Sequence, residues 1–313
     1  MASPQTAMAW GNEGHEVTAL IAFKLLTPKA QKHVLEILGG VPITTASTWP
    51  DDLKRAGEGC VVPGAPGCNP NYRPETSQWH FVDMPMAEDR FDPNGKYCES
   101  SRYGDCIIPA IEEFRVILAK SKGSGDEQKR KRHDALSFVI HLLGDLHQPL
   151  HCADNGDGGG NAAYVTWEGE PKYTWADVWN LHSVWDSYLI GLNIAAMPAN
   201  KRTVADYSDL IVAQLDARER KFAQLKADTI ENGRPETVIS WAEASHTMAK
   251  TSTYVLPSER VKKSTRGFKA PGGKDLVLLN SKYFENNRPK VQDQLKLGGI
   301  RLARILNEIY DKD

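Results

Sequence analysis

The sequence predicts an all-α, single-domain protein with one small β-hairpin, and three observations predict it. Apolar residues recur at helical spacing along most of the chain, beginning with the stretch from Val17 through Leu26. Only one pair of segments reads as strand. Neither an internal repeat nor an inter-domain linker breaks the 313 residues, a length that buries a sizeable core.

Each element has its own local signal. Thr27 and Pro28 pair as N-cap and first-turn residue of a second helix, which stops at Gly39-Gly40. Asp51 follows Trp49-Pro50 in a short turn that continues as Asp52-Leu53-Lys54. Residues 56–78 and 86–106 carry Gly, Pro and Asn without periodicity and read as irregular surface loops. Helices are expected at about 107–121, 129–147, 178–190, 203–227 and 236–254, with a long final one over about 287–308. The hairpin candidate is Ala163 to Trp167 and Tyr173 to Val178, turning through Glu168-Gly169-Glu170-Pro171.

Composition removes several classes of function. Thirty-eight Lys plus Arg against 40 Asp plus Glu leave a formal charge of −2, which excludes a histone-like polycation and a disordered acidic tail. Hydrophobic residues at 41% and charged residues at 25% are ordinary globular usage. No run of about eighteen apolar residues exists, so a membrane-spanning helix is excluded. The basic stretches Lys129-Arg130-Lys131-Arg132 and Lys262-Lys263 with Arg266 and Lys269 read first as solvated helix ends or loops.

The five cysteines fall as the couples Cys60/Cys68 and Cys98/Cys106, one in each loop, plus Cys152. Spacings of eight suit two local disulfides and an oxidising compartment, with two reduced pairs as the alternative. Ala7-Met8-Ala9 is a pattern of the kind that a signal peptidase cuts, although no cationic or long apolar stretch precedes it. Residues 1–9 therefore read as a signal-peptide remnant or leader, the alternative being an ordinary N-terminal tail, and secretion or a periplasmic location is expected. No Asn-x-Ser/Thr sequon adds support.

The chemistry-bearing pattern is the placement of His relative to Asp. His141 and Asp145 are four apart in an apolar helical stretch, as are His182 and Asp186, and that spacing stacks both side chains on one face. Pro149 lets the chain bend after the first pair and aim His151 at a neighbouring centre. His80 sits in Trp79-His80-Phe81-Val82-Asp83, and His15 closes Trp10-Gly11-Asn12-Glu13-Gly14-His15. One such pair is more often a hydrogen-bonded couple than a metal site. Five His and three Asp among Trp, Phe, Leu and Gly are costly to bury as a polar core, whereas cations satisfy them directly. Imidazole and carboxylate without thiolate favour zinc, with manganese and iron(II) also compatible. His147 points roughly 240° around the helix from His141 and reads as a supporting donor. His33, His133 and His246 read as surface or core residues, and Cys152 as a buried free thiol.

The segments Trp10-Gly-x-x-Gly-His15, Trp49-Pro-Asp51-Asp-x-Lys54, Trp79-His80-Phe81-x-Asp83, His141-x-x-Gly-Asp145-x-His147-Gln-Pro-Leu-His151, Gly159-Gly160-Asn161 and Asn180-Leu-His182-x-x-Trp-Asp186 stand in order along nearly the whole chain. Together they resemble the trinuclear-zinc, single-strand-specific nucleases of fungi, plants and bacteria, the S1/P1 type. Arg288-Pro289 through Gly298-Gly299-Ile300-Arg301 is similar to that family's closing helix.

The resemblance implies residues 10–313 as one zinc-dependent nuclease domain of the zinc phospholipase C and single-strand nuclease type, with three zinc ions in a cleft. It implies one zinc on Asp51, His80, His141 and Asp145, and a second on His151, His182 and Asp186. The third would take His15, the shared Asp145, and the amino and carbonyl groups of Trp10 as mature N-terminus. An α-amine can ligate once a metal competes with its proton, whereas an amide nitrogen cannot. Trp10 is not residue 1 here, a departure from the family pattern, so either residues 1–9 are removed or the third site is incomplete, and Ala7-Met8-Ala9 favours removal.

Three divalent ions bring +6 and three ligating aspartates −3, so a chain of net charge −2 would still present about +3 to a phosphate. The implied reaction is hydrolysis of single-stranded DNA and RNA to 5′-phosphate products, with 3′-nucleotidase activity, a zinc-bridged hydroxide attacking phosphorus. Asp51 would orient the nucleophile and Lys54 would stabilise phosphoryl charge. Phe81 would stack an unpaired base, worth on the order of 1–3 kcal/mol, while Asp83 accepts its exocyclic hydrogens and Asn161 lies near the substrate. Partners would be single-stranded nucleic acid and 3′-nucleotides, with no membrane and no obligate protein partner evident. Two rivals remain. A zinc-dependent phospholipase C is disfavoured by Asp186, where that enzyme would want Glu, and by the short Trp10-to-His15 spacing. A non-catalytic zinc-stabilised secreted protein is disfavoured by the Cys-free ligand set.

Overall fold

The computed structural model describes residues 10–55, 74–93, 95, 97, 98, 106–167, 178–225, 230, 231, 234, 235, 237–264, 267 and 269–311. Its helices are α1 (Asn12–Leu25), α2 (Pro28–Leu38), α3 (Ile43–Arg55), α4 (Ile107–Lys120), α5 (Asp126–Asp145), α6 (Leu181–Ser183), α7 (Leu189–Ala195), α8 (Val204–Gln214), α9 (Ala217–Phe222), α10 (Val238–Met248) and α11 (Ser281–Tyr310). The all-α expectation holds, with a small sheet set to one side of the bundle.

The longest helix, α11, lies along α1, and α1 also packs on α3, α5 and α8. Glycine permits that approach: a Cβ at Gly299 would strike the Ile21 side chain, and one at Gly298 would crowd Thr18. The Thr27 hydroxyl accepts from Ala30 N–H at the start of α2, and Gly39, at φ 58°, closes it, as the sequence signals require.

Four elements depart from expectation, one of them the final helix: α11 opens at Ser281, six residues before the start expected at about 287, where Asn280 caps it by accepting from Tyr283 N–H. Asp51 lies not in a short turn but in α3, which carries Pro50 internally. A proline removes one ladder hydrogen bond and bends a helix without always ending it, and packing of α3 on α1 and α5 holds the remainder. The single helix expected over about 203–227 is two, because Asp216 caps α9 through Glu219 N–H while Glu219 returns the bond to Asp216 N–H. The helix expected from about 178 begins at Leu181 and runs through a π-helical turn at Val184–Tyr188 before α7.

The strand at Ala163 to Trp167 is present as β1 (Tyr164–Trp167). The turn and most of the return strand expected at Tyr173 to Val178 lie outside the described residues. The antiparallel partner that is described is β2 (Trp179–Asn180), with Tyr164 opposite Asn180. Ile230–Glu231 (β3) and Arg234–Pro235 (β4) pair separately. Beyond the hairpin, β1 runs parallel to β6 (Leu276–Leu279), and β6 pairs antiparallel with β5 (Arg260–Val261). Val165, Thr166 and Trp167 of β1 and Leu276, Val277 and Leu279 of β6 are all buried, so both faces of these two strands are covered and burial does not follow the period-2 alternation of a half-exposed strand.

Cys98 and Cys106 form a disulfide, while Cys60 and Cys68 lie outside the described residues. Cys152 is a buried free thiol that donates to Leu146 O at 3.4 Å. Lys129 to Lys131 are exposed on the first turns of α5, and Lys262 pairs with Asp275, consistent with solvated charge. No helix among the described residues is long and apolar enough to cross a membrane.

Candidate metal centre

His15, Asp51, His80, His141, Asp145, His151, His182 and Asp186 come from α1, α3, the 3₁₀ turn Pro74–His80, α5, the 3₁₀ turn Pro149–His151 and the α6 stretch. All eight are buried, at most 4% exposed. Local chemistry aims each one. Asn180 caps α6 by accepting from Ser183 N–H, which places His182 one residue inside the helix. Gln148 caps the Pro149–His151 turn by accepting from Leu150 N–H. Gly144 is a glycine because a Cβ there would lie 2.8 Å from His15 Nδ1.

The first group is centred on Oδ2 of Asp145. That oxygen is 3.0 Å from both His80 Nδ1 and His141 Nε2, which are 2.9 Å from each other. Asp51 Oδ1 lies 3.7 Å from both of those nitrogens. A tetrahedral zinc with bonds of about 2.0–2.1 Å has donor-to-donor edges of roughly 3.3 Å, so these four atoms match such a shell. His141 Nδ1 meets Ser47 O at 2.7 Å, in the turn of α3 before Pro50. A carbonyl only accepts, so Nδ1 carries the proton and neutral His141 leaves Nε2 bare for the group.

The second group repeats that logic. His151 Nδ1 donates to His80 O at 2.7 Å and His182 Nδ1 donates to Gly159 O at 2.6 Å. Both Nε2 atoms therefore carry lone pairs in the neutral rings, yet they face each other at 3.1 Å. Asp186 Oδ2 completes the set at 3.3 Å from His182 Nε2. Buried lone pairs aimed at one another need a shared proton or a metal between them, and with the Asp186 carboxylate as third donor the set fits a bound metal.

His15 makes the third group with Asp51 and His141. Its ring stacks on His141 with centroids 3.8 Å apart, and its Nε2 is 3.4 Å from Asp145 Oδ1. Both His15 nitrogens and Asp145 Oδ1 are buried without a hydrogen-bond partner. Asp145 thus turns one oxygen to His80 and His141 and the other toward His15 and His151.

Electrostatics follow this crowding. Burial would raise the Asp145 carboxyl, but His141 and His151 outweigh it and hold it well below the ordinary carboxylate range. Burial would lower His141, but Asp145 and Asp51 outweigh it and raise it. His15 is lowered by burial and by neighbouring His141.

The remaining predicted residues surround these groups. Trp10 is fully buried, its indole donating to Gly144 O at 2.7 Å, and the next residue, Gly11, donates its N–H to Asp186 O at 2.9 Å. Lys54 follows Asp51 in α3, but its side chain lies outside the described residues. Phe81 and Asp83 are half-buried just after His80. The Asp83 carboxyl is pushed up to about 6 by burial and by Asp154. Gly158, Gly159 and Gly160 all have positive φ, and that turn carries Gly159 O to His182. Asn161 Nδ2 donates to Gly158 O at 2.7 Å and lies 3.5 Å from His182 Nδ1.

His147 is a structural histidine. Its Nδ1 donates to Leu143 O at 2.7 Å and its Nε2 accepts from Arg301 at 2.8 Å, with burial and that guanidinium lowering it to about 3. His246 is likewise held between Cys152 O and Glu88 O. Gln148, whose amide reaches Asp186 Oδ1 at 2.6 Å, was not among the predicted site residues; its place between two ligand motifs was the available signal.

Fold and site together define a mostly helical protein with three buried His/Asp groups, each able to hold a metal ion. Residues 10–311 match the S1/P1 Nuclease family, and the chain belongs to it. Its relatives include Endonuclease 1 of Arabidopsis thaliana, 27% identical over 322 residues that span 100% of this chain and 91% of that protein. Nuclease S1 of Aspergillus oryzae is 27% identical, spanning 99% and 94%. Nuclease P1 of Penicillium citrinum is 25% identical, spanning 97% and 99%.

Proposed function

We propose that the protein is a zinc-dependent phosphodiesterase that hydrolyses single-stranded DNA and RNA to 5′-phosphate products and also removes the phosphate of 3′-nucleotides. The observation that carries the metal dependence is the pair of Nε2 lone pairs of His151 and His182, 3.1 Å apart with both outer nitrogens committed to carbonyls. Family membership supports the nuclease chemistry.

Zinc would be held by Asp51, His80, His141 and Asp145, by His151, His182 and Asp186, and by His15, Asp145 and the amino and carbonyl groups of Trp10 as mature N-terminus. Bound there, it would supply Lewis acidity toward phosphate and make water acidic near neutral pH. The protein's own groups do the rest. Asp51 accepts a hydrogen bond from the attacking water and orients it, and Lys54 neutralises charge on the phosphoryl oxygens. Phe81 offers a half-buried face to an unpaired base, Asp83 accepts from the base edge, and Asn161 donates to substrate near His182. Duplex DNA buries its base faces in the stack, which is the physical reason for single-strand preference. The Cys98–Cys106 disulfide supports secretion.

The test uses protein beginning at Trp10, given single-stranded DNA, single-stranded RNA, duplex DNA, a 3′-nucleotide and phosphatidylcholine in parallel, with chelator and zinc add-back. Chelator-sensitive cutting of the single strands to 5′-phosphate ends is expected. Lipid cleavage with intact DNA would mark a phospholipase instead, and zinc-loaded protein inert on all five substrates would mark a structural role.

A further inference from the structure

Gln148 lies where α5 gives way to the Pro149–His151 turn and is completely buried. Its two amide ends touch different ligands' supports. Oε1 accepts from Leu150 N–H at 2.6 Å, and Nε2 donates to Asp186 Oδ1 at 2.6 Å. The assignment of the ends follows from chemistry: a backbone N–H can only donate, so the end facing Leu150 is the oxygen. The other end is then the NH₂ group, which can only donate, so Asp186 Oδ1 must accept. Asp186 is thereby held with its second oxygen, Oδ2, toward His182 Nε2.

We propose that Gln148 is a positioning residue for the His151, His182 and Asp186 group, occupying one oxygen of Asp186 so that a single oxygen faces the metal. The proposal rests on the reading that this group binds zinc. A carboxylate offered through one oxygen takes one coordination position, and a chelating one takes two. With Oδ1 taken by Gln148, Asp186 would offer a bound metal Oδ2 alone. Through Leu150 the same amide ties Asp186 to the turn bearing His151, so two ligands from separate elements share one anchor. The outer contacts of His151 and His182 go to backbone carbonyls, which no side-chain substitution removes; Gln148 can be changed.

Two variants separate positioning from simple capping. Gln148→Met keeps length and loses both contacts. Gln148→Asn can still cap Leu150 N–H as an Asx turn but is one methylene too short to reach Asp186 as well. Each is loaded with zinc, zinc is counted by elemental analysis, and its release to a chelator is followed with a zinc-sensitive dye. Both variants should hold one equivalent fewer than the parent, or release one equivalent at least about tenfold faster, with the other equivalents unchanged. Parent-like content and release rate in both variants, or in Gln148→Asn alone, would overturn the proposal, the latter by leaving only a cap. Asp186→Asn is measured alongside. If it loses an equivalent while the Gln148 variants do not, only the role of Gln148 falls; if it too keeps every equivalent, the zinc reading of this group falls with it.

Discussion

The two His–Asp pairs share a four-residue spacing and little else. His141 and Asp145 close a regular α-helix, and Asp145 stands among four histidines, His141 of its own helix and three from three further elements. His182 and Asp186 lie where a helix widens into a π turn, and Asp186 belongs to one group only, its second oxygen taken by Gln148. Spacing on a helix creates a local pair in both cases. What it does not create is the sharing, because only tertiary packing brings His15, His80 and His151 to one carboxylate. On the proposed reading, Asp145 is a hub and Asp186 is a terminal ligand.

The sharpest way to break that distinction is to neutralise each acid. Asp145→Asn should cost more than one equivalent of bound zinc and lower nuclease turnover by roughly a thousandfold or more, since two groups lose their common charge. Asp186→Asn should cost one equivalent and weaken that site about 10- to 100-fold. Elemental analysis and turnover on single-stranded DNA check both, and equal losses would erase the difference between hub and terminal ligand.

His147 tests whether any buried histidine near the cluster behaves as a ligand. His147→Leu removes the acceptor for Arg301 and should destabilise the fold by about 2–3 kcal/mol in urea titration, with zinc content unchanged. A lost zinc equivalent would make it a ligand after all.

The smallest effect belongs to Asp83, a carboxylate near the cluster with another acid beside it instead of a cation. Its pKa rises from 3.8 to about 6 on folding, so folding favours its protonated form. Stability is therefore whole below pH 4, falls as pH rises toward 6, and stays reduced above it. Asp83→Asn should gain on the order of 1–2 kcal/mol at pH 8 and almost nothing at pH 4, once partial exposure discounts the shift. Denaturant melts at the two pH values check the sign.

Much of this was legible in the chain, for reasons tied to particular residues. Thr27-Pro28 and Gly39-Gly40 bracket α2 through backbone chemistry that acts within one turn. The eight buried donors were readable because His and Asp are expensive to bury among Trp and Leu without a purpose. The misread segments were those where local rules competed. Pro50 stood for a turn and proved to lie inside α3, since α1 and α5 hold that helix from outside. The parallel pairing of β1 with β6 joins residues more than a hundred positions apart, which no hairpin signal reports.

The sequence alone determined which side chains could serve as ligands, that helices would carry most of them, and the bounds of α2, because caps, periodicity and i,i+4 stacking are short-range. Tertiary structure decided the rest. It directed Asp145 Oδ1 and Oδ2 to different histidines, set Ser47, His80 and Gly159 carbonyls against the outer nitrogens, and delivered Gln148 to Asp186. Those choices need atoms from distant parts of the chain within hydrogen-bond reach. Such proximity is set by how α1, α3, α5 and α11 pack as bodies.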